Sequence, residues 1–471
     1  GLRLIRVSAF VSLPGTGAFF MQGLLAWWPL HPSSFTHHTK GLPMPTDPNH
    51  HTPEVAPEAK PAGTSRRGAL GAALAGAGAL GALGALAGCS SNSSAQASAS
   101  ASSTAAKDSH SFYGEHQSGI STEVQDRMYF AALNLKTTDR DEIQSLFKEW
   151  SAAAAKLQAG ELVGEDRSYE APPKDTGEAM DLSAANLTLT FGLGRSFFVD
   201  DEGKDRFGFA SKLPEALVRI PHMTGDALEA NRSNGDICIQ ACADDPQVAF
   251  HAIRNLIRIA GGRAVVAWNQ QGFGRTSSTS TTQVTARNLF GFKDGTNNLK
   301  VESPNLLKKH VWTSSENSAN SPAWMEGGSY LAARRIRMNI ETWDRTRLRE
   351  QEEIVGRTKV TGAPLSGGDE FTAPDFSEKG RSGPLIPADS HMRLMHPDQN
   401  DGVQILRRGF NYTDGADELG RLDAGLFFIA YVCDPRTHFI PMLSTMTSSD
   451  ALSEYLRHTG SALFAIPPGV K

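Results

Sequence analysis

The chain is poor in cysteine, with four in 471 residues, and poor in aromatic residues, at 8%. It also lacks a strong charge of either sign, with 46 basic against 51 acidic side chains and a formal net charge of −5. Each shortage excludes something. Four cysteines cannot form a disulfide framework for a chain this long, and they show no paired spacing of the zinc-binding kind. Cys238 and Cys242 lie four apart in what reads as a strand. They would share a face about 13 Å apart, beyond the reach of a disulfide. Cys238, Cys242 and Cys433 are therefore expected to be small buried hydrophobes. Near-neutral charge and few aromatics leave no nucleic-acid footprint. The uncharged stretch Gly68 to Gly88 is mostly Ala, Gly and Leu, barely apolar enough to anchor in a membrane.

The ends of the chain are unusual. Residues 1–43 do not begin with Met and run through an apolar patch, Leu24 to Leu30, into Gly-Leu-Pro. They read as an over-long gene start with Met44 the natural beginning; a genuine extra segment is the alternative. Residues 44–89 read as an export signal. Ser65-Arg66-Arg67 precedes the weakly apolar stretch, which is the twin-arginine pattern with Ala69 at the usual Phe position. Leu86-Ala87-Gly88-Cys89 resembles a lipobox, with Cys89 the residue to be lipidated. Residues 90–111 are rich in Ser and Ala and read as a tether, since they cannot bury a core. The expected location is extracellular or at the cell surface, with membrane contact only through the signal or lipid.

From Phe112 the composition is globular. Strands are expected over Arg127–Asn134, Leu187–Leu193, Asp236–Ala243 and Ala264–Trp268, with helices over Arg140–Gln158 and from Pro246 to Ala260. The order is β-α-β-β-α-β, the ferredoxin-like motif. The remainder reads the same way: a strand over Tyr330–Ile340, a charged helix over Glu341–Val355, strands over Val403–Gly409 and Gly425–Val432, a helix within Phe439–Leu456, and a last strand over Ala462–Ile466. The expected fold is α+β, two ferredoxin-like halves with antiparallel sheets, spanning 112–284 and 285–471.

Four stretches could carry chemistry. Gly291-Phe292-Lys293-Asp294-Gly295-Thr296-Asn297-Asn298 reads as a turn, and its glycines also suit close approach of backbone to a flat ligand. In Asp389-Ser390-His391-Met392-Arg393, Asp389 or Ser390 could cap a short helix with His391 in its first turn, while His396, before Pro397, suits a loop surface. Arg407 and Arg408 are strand neighbours, so only one can face a given site. Asp434, before Pro435, suits a helix cap or a turn.

Taken together, with Tyr113–Ile120, Asn288–Asn298, Asp389–Arg393, Ile405–Gly409 and Gly425–Phe428, the chain resembles the dye-decolourising peroxidase family over about Phe112 to Pro468. The export signal and the Arg-Arg-Gly form suggest its secreted, deferrochelatase-like branch. The resemblance implies haem b bound in the C-terminal half, with His391 the axial ligand of the iron. It implies that Asp434 accepts a hydrogen bond from that histidine, and that Asp294 and Arg407 stand on the distal side beside Gly295. Arg407 would then face inward and Arg408 outward. Some branches carry an Asn two residues after the distal Arg; here the residue is Gly409. The implied activity is reduction of hydrogen peroxide through an oxoferryl intermediate and oxidation of dyes, phenols or other one-electron donors, with an acidic optimum set by the Asp294 carboxylate. Iron release from haem, with iron-uptake or metal-trafficking partners, is the alternative within the family. A non-catalytic haem-binding lipoprotein would need His391 but neither Asp294 nor Arg407.

Overall fold

The computed structural model describes residues 108–165, 168–381 and 383–471. The export signal, the Cys89 lipobox and most of the tether lie outside the described residues. In the N-terminal half, β1 (Arg127–Leu135) leads to α1 (Arg140–Gln158), which starts where the Asp139 carboxylate accepts the N–H groups of Asp141 and Glu142. The helix buries Ile143, Leu146, Phe147 and Trp150, a set at helical spacing. Then come β2 (Thr188–Gly194), β3 (Ile237–Ala243), α2 (Pro246–Ile259) and β4 (Ala264–Arg275). Asp245 caps α2, and Pro246 begins it where no backbone donor is needed. β4 runs seven residues past Trp268, the expected end.

After α3 (Pro304–His310) the second half begins with β5 (Ser329–Met338). The single helix expected over Glu341–Val355 is two short ones, α4 (Ile340–Trp343) and α5 (Leu348–Val355). Gln351 Nε2 donates to the carbonyls of Trp343 and Thr346, supplying from a side chain what a continuous helix would supply from its backbone. A small hairpin, β6 (Lys379–Gly380) and β7 (Gly383–Pro384), precedes α6 (His391–Leu394). The strand expected over Val403–Gly409 shrinks to β8 (Leu406–Arg407), and an unexpected β9 (Phe410–Ala416) follows. The chain closes with β10 (Leu422–Val432), α7 (Phe439–Ser449) and β11 (Leu456–Ile466).

The strands pair in the order β5-β11-β2-β3-β1-β4-β9-β10, and β10 pairs back to β5. Each half has the ferredoxin-like order, β4-β1-β3-β2 and β11-β5-β10-β9, and every pairing in the ring is antiparallel. The two expected sheets are thus one closed ring, joined edge to edge by β4–β9 and by β11–β2. Closure leaves those strand edges paired. Strand alternation sends Phe130, Trp268, Phe427 and Phe464 inside the ring. Cys238 and Cys242 are also inside, free and buried as expected; Cys433 is free and buried as well. The outer face of the N-terminal half is covered by α1 and α2 over one apolar core that includes Trp150, Phe191 and Leu256. The outer face of β5, β10 and β11 is where the site forms.

Candidate active site

Gly291 and Gly295 have φ of +83° and +87°. A Cβ on Gly295 would stand 2.8 Å from the Ser277 Cα, so only glycine fits the bend there. The bend separates two neighbours. Lys293 turns away to an ion pair with Glu370, which Thr296 Oγ1 also meets at 3.2 Å. Asp294 turns toward Arg407, whose Nη1 donates to Oδ1 at 2.7 Å, while Asn288 Nδ2 donates to Oδ2 at 3.2 Å. Asn298, from the same loop, clamps the Arg407 backbone in both directions, accepting its N–H at 2.8 Å and donating to its carbonyl at 2.9 Å. Gly409 is a close-approach position: a Cβ there would lie 2.9 Å from Thr276 Oγ1. The third polar contact in this group comes from Asn288 instead.

Arg408 does not reach solvent, contrary to expectation. It is buried on the opposite face, where its guanidinium donates to the carbonyls of Ile120, Thr122 and Glu123 and to Gln125 Oε1. Those acceptors supply the partners that let a buried cation stand.

His391 opens α6. Ser390 occupies the cap position, but its hydroxyl donates to the Pro387 carbonyl rather than capping the helix. The His391 Nδ1 meets Asp450 Oδ2 at 2.6 Å. Asp450 is buried, and its other oxygen accepts the Leu452 N–H at 2.9 Å. The Ala451 N–H bonds the Asp389 carbonyl at 3.0 Å, so the two segments hold each other. Burial pushes the His391 imidazole down, but the charge and hydrogen bond of Asp450, helped by Asp294, raise it overall.

Asp450, not Asp434, is therefore the acid at His391. Asp434 lies past the end of β10, where it accepts from Ser318 Oγ at 3.0 Å, the Arg436 N–H at 2.8 Å and the Arg436 guanidinium at 2.7 Å. The turn before Pro435 accounts for it completely. His396 lines the same cavity as His391, but its Nδ1 accepts the Asp398 N–H at 3.3 Å.

Asp294, Gly295, His391 and Arg407 line one open-mouthed cavity. Its walls are largely apolar, with Phe292, Ile336, Leu426, Phe428 and Met442. Two buried polar groups also line it. Arg334 donates one nitrogen to Asp226 at 2.9 Å, while its Nε and Nη1 have no protein partner. His458 Nδ1 has none either. Burial, reinforced by Arg334, pushes the His458 imidazole down to about 4. Unsatisfied donors buried in an apolar slot call for an anion. Haem fits this set of residues: an apolar plate for the walls, two carboxylates for Arg334 and His458, and an iron for an imidazole whose Nδ1 is already held by a carboxylate.

An apolar slot with a carboxylate-held histidine and a carboxylate–guanidinium pair, on twinned ferredoxin-like halves, defines a haem enzyme with a polar reaction face. Comparison with known proteins agrees. Residues 117–274 match the family model for the Dyp-type peroxidase N-terminal domain, and residues 285–471 match that for the C-terminal domain. The chain belongs to the Dyp-type peroxidase family and is a haem peroxidase. It is 36% identical over 371 residues to a deferrochelatase of Escherichia coli, covering 78% of this chain and 86% of that one. Among solved structures it is similar to DtpA from Streptomyces lividans (40% identity, TM-score 0.69, covering 77% of this chain and 94% of that one). A DyP-type peroxidase from Cellulomonas bogoriensis is similar at 33% identity and TM-score 0.67, covering 77% of this chain and 95% of that one.

Reading the sequence missed Asp450, Asn288, Asn298, Arg334 and His458. Arg334 had a visible signal, a charge among the alternate positions Tyr330, Ala332, Ile336 and Met338, which are otherwise apolar, whereas Arg335 and Arg337 fall on the other face. Asp450 had only its place after a helix.

Proposed function

We propose that His391 binds the haem iron, that Asp450 orients it, and that Asp294 and Arg407 act on hydrogen peroxide on the distal side. The bound haem supplies an iron at which the peroxide bond is broken and from which donors are oxidised. Asp450 takes the His391 Nδ1 proton as a hydrogen bond, leaving Nε2 for the metal and making it a stronger donor. Arg334 and His458 receive the haem carboxylates. Asp294 moves a proton from the inner to the outer peroxide oxygen, directly or through a water, so that water can leave. Arg407 steadies the charge that develops on the departing oxygen. Asn288 and Asn298 hold this pair in place.

One observation carries the assignment: His391, held from behind by buried Asp450, and the hydrogen-bonded Asp294–Arg407 pair line a single, largely apolar cavity. Replacing His391 by Ala should abolish the Soret absorbance of purified holoenzyme. The Arg407→Leu variant should keep it while slowing the spectral change on mixing with peroxide by about 10²–10³-fold. An unchanged rate in that variant would remove Arg407 from the chemistry.

Small donors are expected to react at the cavity mouth and bulky dyes at the surface. The similarity to proteins named deferrochelatase supports a second reading, iron release with the porphyrin left intact. Appearance of porphyrin fluorescence together with chelatable iron would test it. Export by the twin-arginine route and acylation of Cys89 belong to the same proposal, supported by Arg66-Arg67 and the Leu86–Cys89 motif. Fractionation of cells carrying Lys at positions 66 and 67 should show the protein retained inside.

A further inference from the structure

The three residues that follow β4 form a floor shared by both distal motifs. The Thr276 N–H donates to the Gly409 carbonyl at 2.9 Å. Ser277 packs against Gly295, where its Cα leaves no room for a side chain. The Ser278 carbonyl accepts Asn298 Nδ2 at 3.0 Å, and Asn298 is the residue that clamps the Arg407 backbone. Ser277, Ser278 and Asn298 are all buried. What holds this floor therefore also sets where Arg407 stands against Asp294.

A cation grips the floor. Lys300, in the loop between Asn298 and α3, donates from Nζ to the Ser278 carbonyl at 2.8 Å and to the Ser278 hydroxyl. It is half-buried and forms no ion pair among the described residues. The two acids that act on it are engaged elsewhere. Glu302 Oε1 accepts the Ser280 hydroxyl at 2.7 Å and the Thr281 N–H at 3.1 Å, and Glu370 pairs with Lys293. Two other cations, Arg407 and Arg275, also act on it. Burial pushes the Lys300 ammonium down to about 8; Arg407 and Arg275 add to the fall, while Glu302 and Glu370 oppose it. A lysine that merely ties down a loop is the plain alternative. Such a lysine would gain more from water or a carboxylate than from a neutral carbonyl beside a second cation. The charge is kept here against both costs, and what it meets is the carbonyl that Asn298 shares.

We propose that Lys300, as a cation, is a positioning residue for the peroxide reaction: it grips the Ser278 carbonyl and, through that carbonyl and Asn298, holds Arg407 at Asp294. The inference rests on the distal roles given to Arg407 and Asp294. Lys300 touches neither peroxide nor haem in this role. The ammonium form is the one that works, so the hold weakens as pH rises through about 8.

The experiment uses holoenzyme of the wild type, Lys300→Met, Lys300→Arg and Arg407→Leu. The rate of the Soret change on mixing with peroxide is followed from about pH 6 to about pH 10, and fluoride affinity of the ferric form is measured at about pH 6. The wild-type rate should fall about 10-fold with a midpoint near 8. Lys300→Met should be about 10-fold slow already at pH 6, show no step near 8, and meet the wild type at the alkaline end. It should also bind fluoride more weakly, with its resting Soret spectrum unchanged. Lys300→Arg keeps the charge, so it should hold the wild-type rate at pH 6 and lose the step near 8. A normal rate in Lys300→Met at pH 6 would overturn the proposal. So would a slow Lys300→Met that retains the step, or a Lys300→Arg as slow as Lys300→Met, because either result would mean that packing rather than charge matters. Any of these results leaves the role of Arg407 standing. An unchanged rate in Arg407→Leu would instead strike the distal reading itself, and the proposal with it.

Discussion

The two halves share one strand order, yet the haem cavity forms on the second. In the first half, α1 has 19 residues and α2 has 14, and both press an apolar stripe onto the outer face of the strands. In the second, the matching first helix is split into α4 and α5, of four and eight residues. The helical layer no longer closes over β5 and β10 there. The loop bearing Asp294 and the short α6 bearing His391 take its place, and the outer face of β5 carries Arg334 instead of another hydrophobe. The same topology gives a dry core where helices are continuous and a ligand slot where they are interrupted. Fold and function are thus separable within one chain.

Substituting the corresponding tryptophans tests this contrast most strongly. Trp150→Ala should cost about 3–5 kcal/mol of stability and leave the haem spectrum alone, because Trp150 lies in the helix-covered core with its indole N–H on the Leu256 carbonyl. Trp343→Ala should lose a similar amount and also shift the Soret band, because Trp343 supports Phe290 and Phe292 in the cavity wall. Chemical denaturation with parallel absorbance scans checks both. If Trp150→Ala moved the spectrum as much, the halves would not be independent in this sense.

Acid should act unequally as well. The buried His251 of the first half faces Asp175 at 2.7 Å. His310 and His458 of the second half have no acid partner among the described residues, and burial pushes each down to about 4. Their folded values lie below the usual value near 6.5, so the unfolded chain takes up the protons first as pH falls. The stability they confer is full above about 6.5 and is lost between there and about 4, roughly 3 kcal/mol for each. Hydrogen exchange on haem-free protein should show α3 and β11 opening before α1 and β3 across that window. A uniform response would contradict the contrast.

The smallest of these effects concerns the two acids. Asp450→Asn should weaken haem retention or turnover by about 10–100-fold, the usual result of losing a carboxylate behind a ligating histidine. Asp434→Asn should leave both near wild type, since its partners are Ser318 and Arg436. Haem titration of the two variants side by side distinguishes them.

The legible parts of the sequence were those written in local period. α1 and the strand cores follow alternation or helical spacing, so their presence could be read directly. The kink between α4 and α5 could not, because it depends on Gln351 folding back onto carbonyls of the preceding turn. β9 was hidden because Phe410–Ala416 is half exposed and paired only through its neighbours. At the site, Asp294, His391 and Arg407 stood out by motif, and Gly295 by its bend. Asp450 did not, for it meets His391 across 59 positions of chain. The sequence offered Asp434 at the end of an apolar strand; geometry gave the task to an acid at the end of a helix.

β11 is the last strand among the described residues, and it pairs β5 on one side and β2 on the other. It also contributes Leu456 and His458 to the haem cavity. During synthesis, therefore, the pocket is unfinished until β11 has left the ribosome. The first half cannot satisfy the free edge of β2 by itself in the meantime. Such late, long-range pairing makes folding slow and exposes the intermediate. Haem capture is in this sense a report that β11 has been made and has docked: a chain truncated ahead of Leu456 would lack both the strand that closes the ring and part of the haem cavity wall.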